Sequence, residues 1–385
     1  MTKKVVAIVI SYFLLMPVTA GAATWSSLIQ VSWSSTHYRY PKIAVDASKI
    51  IHIVWEDFSD HDEEIKYKNS IDGGSSWSTT TRLTWNDNDS NDPDIAVDSN
   101  DYIHVVWSDE SYGNEEILYK KSTDTGTTWT AVSRLTWNSG DSSQPAVAID
   151  SNDNIHVVWI DQSFGPREVL YKKSTDSGST WSAVNRLTWS SGYSYSPDVT
   201  VDSNNRVCVV WDEGSLSTAY QIYFKRSPDA GSTWLSRTPI TWDFTDSKRP
   251  AIAVNGAKFL FLVWNDSLFG NNEIHFKKSS DHGLSWSPVA RITFTTGESG
   301  YPRIAADANN IIHVVWEDDT SGNYEIYYKS YTISSSTWSS ATRLTWNSSD
   351  SRKPDITVDD EDNIYIVYHD DKSAGIYQIY LKIGT

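Results

Sequence analysis

The chain has 385 residues, with 49 acidic against 32 basic side chains and a formal charge of −17. That balance argues against a nucleic-acid partner or an anionic membrane surface, both of which select basic patches. A single cysteine, Cys208, excludes an internal disulfide, so stability must come from packing.

Residues 1–22 read as an export signal: Lys3 and Lys4, an apolar run from Val5 to Met16, and Ala20-Gly21-Ala22 ahead of a cleavage point. No later apolar run is long enough for a membrane helix. The expectation is a secreted or periplasmic monomer, without membrane insertion, forming one domain over residues 23–385.

Beyond the signal the chain repeats. Pro41, Pro93, Pro145, Pro197, Pro250, Pro302 and Pro354 are spaced by 52 residues, with one step of 53, and such a period announces stacked or radial units. In the second unit Pro93–Asp98 is a short alternating run and Tyr102–Trp107 a second, rich in β-branched and aromatic residues. A Gly/Asn/acidic loop leads to Glu116–Lys121, and a polar octapeptide leads to Thr130–Thr136. Each unit is therefore a four-stranded meander, and the predicted fold is an all-β, seven-bladed propeller. Trp25 and Trp33 keep the spacing of Trp77 and Trp85 but precede the first proline, while the last unit stops after Gln378–Lys382. The N-terminal strand should thus complete the last blade and close the ring.

The 19 tryptophans fall into three repeated positions: the start of the fourth strand, its end, and the end of the second strand. Repetition in every unit reads as interblade packing. The same reasoning assigns His52, His104, His156 and His313 to the core, with Cys208 in the equivalent place, and leaves no metal or cofactor site. The Trp-x-acidic residues (Asp57, Asp109, Asp161, Glu213, Asp266, Asp318, Asp370) and the glutamates opening the third strand suggest paired carboxylates for acid–base work or calcium. Their recurrence favours hydrogen bonds that stabilise the blades.

The octapeptide Ser-x-Asp-x-Gly-x-x-Trp occurs at 70–77, 122–129, 174–181, 227–234 and 279–286. Its Asp72, Asp124, Asp176, Asp229 and Asp281 can accept backbone N–H groups in a tight turn, and its glycine suits a shape hostile to a Cβ. These residues match the Asp-box, and the chain resembles the sialidase-like family of Asp-box, or BNR, repeat propellers. The resemblance implies that the Asp-box is a structural hairpin on the side opposite the ligand site. Tyr38-Arg39-Tyr40-Pro41 is similar to that family's Arg-x-Pro signature, which implies a carboxylate-binding role for Arg39. Seven nearly interchangeable blades, where catalytic members commonly have six, depart from the pattern, and no nucleophile or further arginine pair can be placed.

Ligand chemistry belongs on the face of the loops before the prolines, where the repeat breaks. Arg39, Tyr40, Lys248, Arg249, Arg352, Lys353 and His369 form its cationic and aromatic sector. Guanidinium groups grip carboxylates and tyrosines cover sugar faces, so the leading expectation is a non-catalytic glycan-binding propeller preferring anionic glycans. The alternatives are a glycoside hydrolase or polysaccharide lyase, or a scaffold that binds a surface protein.

Overall fold

The computed structural model describes residues 23–58, 62–215, 217–256, 258–373 and 375–385; the expected export signal lies outside the described residues. These residues form seven antiparallel sheets, one per repeat. In blade 2 the strands are Ser90–Val97, Ile103–Asp109, Glu116–Ser122 and Ser133–Arg134, ordered from the axis outwards. The innermost strands of the other blades are Tyr38–Val45, Ser142–Ile149, Tyr193–Val201, Ser247–Asn255, Ser299–Ala306 and Ser351–Val358. In blade 7 the outermost strand is Ile29–Gln30, paired with Ile376–Gly384, so the N-terminal segment closes the ring as expected. Among the described residues no helix is long and apolar enough to cross a membrane.

The core lies between blades. The second-strand tryptophans, such as Trp107 and Trp159, are fully buried in interblade clusters. In blades 2 to 5 the Asp-box tryptophan lies edge-on to an aromatic ring of the preceding blade, as Trp129 does on Tyr67 at 5.0 Å and Trp181 on Tyr119 at 5.2 Å. Trp77 packs instead against the cluster with Val31 and Leu381, and in the closing N-terminal segment Trp25 meets Tyr328 at 4.9 Å.

Tryptophans ending the fourth strand differ from the packing expectation. Trp33, Trp85, Trp137, Trp189, Trp242 and Trp346 are 64–73 % exposed. They stand at the outer rim, where no further strand covers them, and cations occupy their faces instead: Lys172 lies 4.9 Å from the Trp137 ring and Lys277 4.7 Å from that of Trp242. The fourth strand itself pairs over only two residues in blade 2, shorter than the run Thr130–Thr136 suggests.

Within the Asp-box, Asp124 accepts the Thr128 N–H at 2.8 Å and the Thr128 hydroxyl at 2.6 Å, while Ser122 Oγ accepts the Gly126 N–H at 2.9 Å. His104 is fully buried, bonded to Tyr119 OH at 2.8 Å and Asp98 at 3.1 Å. His52, His156 and His313 repeat this arrangement. Among the described residues no group of three or more potential ligands gathers to hold a metal ion.

Gly126 has φ +81°, and a Cβ there would fall 2.2 Å from Tyr67 OH in the neighbouring blade. Gly126→Ala should therefore destabilise by about 1–3 kcal/mol or more, from overpacking and left-handed strain together. Gly73→Ala, with φ +66° but open space around it, should cost only the strain. Thermal unfolding of both variants checks this ordering.

Candidate functional site

The innermost strand of every blade carries a bulge at its proline. In blade 1, Arg39 faces Glu56 and Lys42 faces Val54, so Tyr40 and Pro41 together oppose Trp55 alone. Proline has no N–H for the ladder and is tolerated within a sheet at such a bulge. The residue before it is forced into the left-handed region: Tyr40, Asp92, Gln144, Ser196, Arg249, Tyr301 and Lys353 all have φ between 49° and 55°. Left-handed backbone is costly for residues with a Cβ, and in five blades a side chain of the adjacent blade accepts its N–H. The Arg249 N–H donates to Asp212 at 3.0 Å, that of Lys353 to Glu317 at 2.8 Å, that of Asp92 to Glu56 at 2.7 Å and that of Tyr40 to His369 Nδ1 at 3.3 Å. Each acceptor directly follows a second-strand aromatic residue. Where that position is Ile160, which has no acceptor, Gln144 substitutes and takes the Ser196 N–H at 2.9 Å.

The bulges turn the seven pre-proline side chains into one cavity of about 500 Å³ on the axis. Blades 5, 6, 7 and 1 give it Arg249, Tyr301, Lys353 and Tyr40; blades 2, 3 and 4 give it Asp92, Gln144 and Ser196. At the residue after the proline, Lys42 pairs with Asp94 at 3.0 Å and Arg303 with Asp355 at 3.7 Å. The wall is thus cationic and aromatic on one side and acidic and amide-bearing on the other.

Burial tunes these groups. Desolvation, reinforced by the Arg249 and Arg352 guanidiniums against Glu317, pushes the Lys353 ammonium down to about 7. Its Nζ lies over the Tyr301 ring. Asp212, another cavity-lining residue, is pushed up to about 7 by desolvation, against hydrogen bonds from the Arg249 N–H and Ser196. Asp92 is raised by burial too, while burial lowers His369 well below its ordinary value.

Of the sector expected from sequence, Tyr40, Lys248, Arg249 and Lys353 line the central cavity. Arg352 instead lines a neighbouring cavity and is held by Glu317 at 2.8 Å. Arg39 lies between the rings of Phe58 at 4.9 Å and Tyr377 at 5.2 Å, its Nε buried without a hydrogen-bond partner. His369 is buried beneath the Tyr40 backbone. The Trp-x-acidic carboxylates serve the blades: Asp109 accepts from Ser90 and Asn86 at 2.9 Å each, and Glu116 from Arg134 at 2.6 Å. The residue between, at 56, 212, 317 and 369, reaches the site, and reading the sequence for the repeated acid passes over it.

Fold and repeat together define a seven-bladed β-propeller whose fold is sialidase/BNR-repeat-like. In sequence, residues 70–240 match the BNR repeat-containing family, and no curated protein matches. Among solved structures, an α-L-arabinofuranosidase of Fusarium graminearum is similar at TM-score 0.58 and 14% identity, over 93% of this chain and 97% of that one. A protein of unknown function from Dyadobacter fermentans is similar at TM-score 0.58 and 13% identity, over 94% and 98%. The NanB sialidase of Streptococcus pneumoniae is similar at TM-score 0.52 and 13% identity, over 92% and 70%. Identities this low establish a shared fold.

Because the Asp212 carboxyl titrates higher in the folded chain than the ordinary value near 3.9, it favours folding at low pH, and this contribution is lost as pH rises from about 4 through about 7. Asp212→Asn keeps an acceptor for the Arg249 N–H and removes the titration. The stability difference, variant minus wild type, should grow across that window and level off above it. Asp212→Ala leaves the N–H unpaired and should cost about 1–3 kcal/mol. Denaturant unfolding at a series of pH values measures both.

Proposed function

We propose that the central cavity receives the anionic terminal sugar of an extracellular glycan and that the protein cleaves the bond to it. The observation that carries this reading is the divergence of one repeat position: the residue before the proline is Tyr, Asp, Gln, Ser, Arg, Tyr and Lys in turn, and these side chains converge on a single cavity. Scaffold positions recur from blade to blade, whereas recognition of one ligand needs an asymmetric wall. Arg249 and Lys353 suit a sugar carboxylate, and Tyr40 and Tyr301 offer apolar ring surface.

Hydrolysis is supported by the carboxyl groups of the acidic side. Asp212, poised near neutrality, would give its proton to the leaving oxygen, and Asp92, as a carboxylate, would take a proton from the water whose oxygen replaces that group on the sugar carbon. The fold relatives that carry activity names, sialidases and arabinofuranosidases, act on glycosidic bonds. Binding without turnover is the second reading. It is favoured by the structural employment of these carboxylates, since Asp212 already accepts the Arg249 N–H.

Glycan-array binding followed by product analysis on the hits tests both. Acid-terminated glycans should bind, and Arg249→Ala should lower affinity about tenfold or more, the loss expected of a charge-assisted contact. Asp212→Asn should keep binding and abolish turnover. Above pH 7 the cavity loses the Lys353 charge and gains that of Asp212, so affinity should fall between pH 6 and 8, less steeply in Lys353→Met. Binding of acidic glycans unchanged by Arg249→Ala would exclude this cavity, and binding with no product from any hit would leave the lectin reading.

A further inference from the structure

Neighbouring blades meet on the ligand face through two further repeat positions, the residue two before each proline and, in the preceding blade, the residue just before the third-strand glutamate or its glutamine equivalent. At four junctions these make a cation–aromatic contact: Arg167 with Tyr195 at 4.8 Å, Lys248 with Tyr220 at 4.5 Å, Arg352 with Tyr324 at 3.9 Å and Arg39 with Tyr377 at 5.2 Å. At the other three junctions neither position is aromatic or cationic: Glu63 with Asn91, Glu115 with Ser143 and, between blades 5 and 6, Asn272 with Gly300. At the Asn272–Gly300 junction a cavity of about 220 Å³ opens and shares Arg249 and Tyr301 with the central one.

This cavity contains an unused polar group. Asn265 lines it, is 2 % exposed and has its Oδ1 buried without a hydrogen-bond partner, while its Nδ2 donates to Asn272 at 3.3 Å. A buried carbonyl oxygen without a donor is unfavourable and marks a place where a partner is missing. The neighbouring charges are engaged: Arg352 with Glu317, and Glu298 with Asn272 Nδ2 at 2.6 Å. A hydroxyl-rich neutral group fits these surroundings better than a second ion, and the volume is below the roughly 300–1,000 Å³ of cavities that enclose a whole drug-sized ligand.

We propose that the cleft between blades 5 and 6 is a second subsite, holding the neutral sugar unit joined to the acidic one in the central cavity, with a sugar hydroxyl donating to Asn265 Oδ1. The inference rests on the central-cavity reading and adds the direction in which the glycan leaves it, past Tyr301 towards Tyr324. Gly300 gives a clean way to close the cleft, because a Cβ built there meets nothing within 4 Å. Gly300→Leu should fold normally and fill the subsite.

Calorimetric titration in the Asp212→Asn background, which should bind without turnover, tests it with two pairs of probes: N-acetylneuraminic acid against 3′-sialyllactose, and glucuronic acid against glucuronic acid joined to glucose. For the pair whose acid binds, the longer compound should bind about tenfold tighter or better. Gly300→Leu should erase that gain and leave the affinity of the acid alone unchanged; Asn265→Ala should reduce the gain several-fold. Equal affinity of the acid and its longer partner, or a gain that survives Gly300→Leu, overturns the subsite while the central-cavity reading stands. Binding of neither acid overturns the central reading and the subsite with it.

Discussion

The site depends on the bulge that each proline forces into its innermost strand. A residue placed before proline and held left-handed is disfavoured twice, by its own Cβ and by the proline ring. The fold sustains it in all seven blades. Its stabilisation comes from the adjacent blade, through acceptors such as Glu56, Asp212 and Glu317. Consequently the interblade packing that keeps the ring closed also aims the pre-proline side chains at the axis. Without the bulge, the two-residue alternation of a regular strand would set their direction.

A division of labour follows. On the Asp-box side blades 2 to 5 repeat the same solution: serine and aspartate satisfy the turn, glycine admits the neighbour's ring and tryptophan covers it. Beneath the central cavity, pairs such as Lys42–Asp94 tie adjacent innermost strands together. The repeated groups rigidify the frame, and the variable groups on it gain a fixed geometry that loops alone would not give. Preorganisation of this kind places Lys353 and Asp212, two groups poised near neutrality, on the wall of one cavity.

Much of the architecture was legible because the period is long, regular and marked by prolines and tryptophans. Ring closure could be read from Trp25 and Trp33 because they keep the repeat spacing although they lie before the first proline. The cavity was legible in part: Tyr40, Lys248, Arg249 and Lys353, singled out as breaks in the repeat, line it, whereas Arg39, Arg352 and His369 do not. Asp92 and Tyr301 lie in the repeat-breaking stretches before the prolines but were left out of the cationic and aromatic sector, and Asp212 was not singled out. Reading for repeated carboxylates draws attention to Asp109 and its equivalents, which bond within the blade, and passes over the variable residue one place before them. Aligning the units on their prolines and asking which column never repeats would have found Asp92 and Tyr301; Asp212 needs the further knowledge that a bulge brings its neighbour's N–H within reach. The exposure of the fourth-strand tryptophans was hidden for another reason, since the sequence does not show how little of the outer strand pairs.

The central claim is that variable pre-proline residues, and no repeated motif, define where the ligand sits. A crystal structure of the protein with the tightest-binding acidic glycan tests it most directly. The account predicts density for the acidic sugar on the axis, its carboxylate within hydrogen-bonding reach of Arg249 or Lys353. Density confined to the Asp-box face, or to the exposed rim tryptophans such as Trp85 and Trp137, would contradict it.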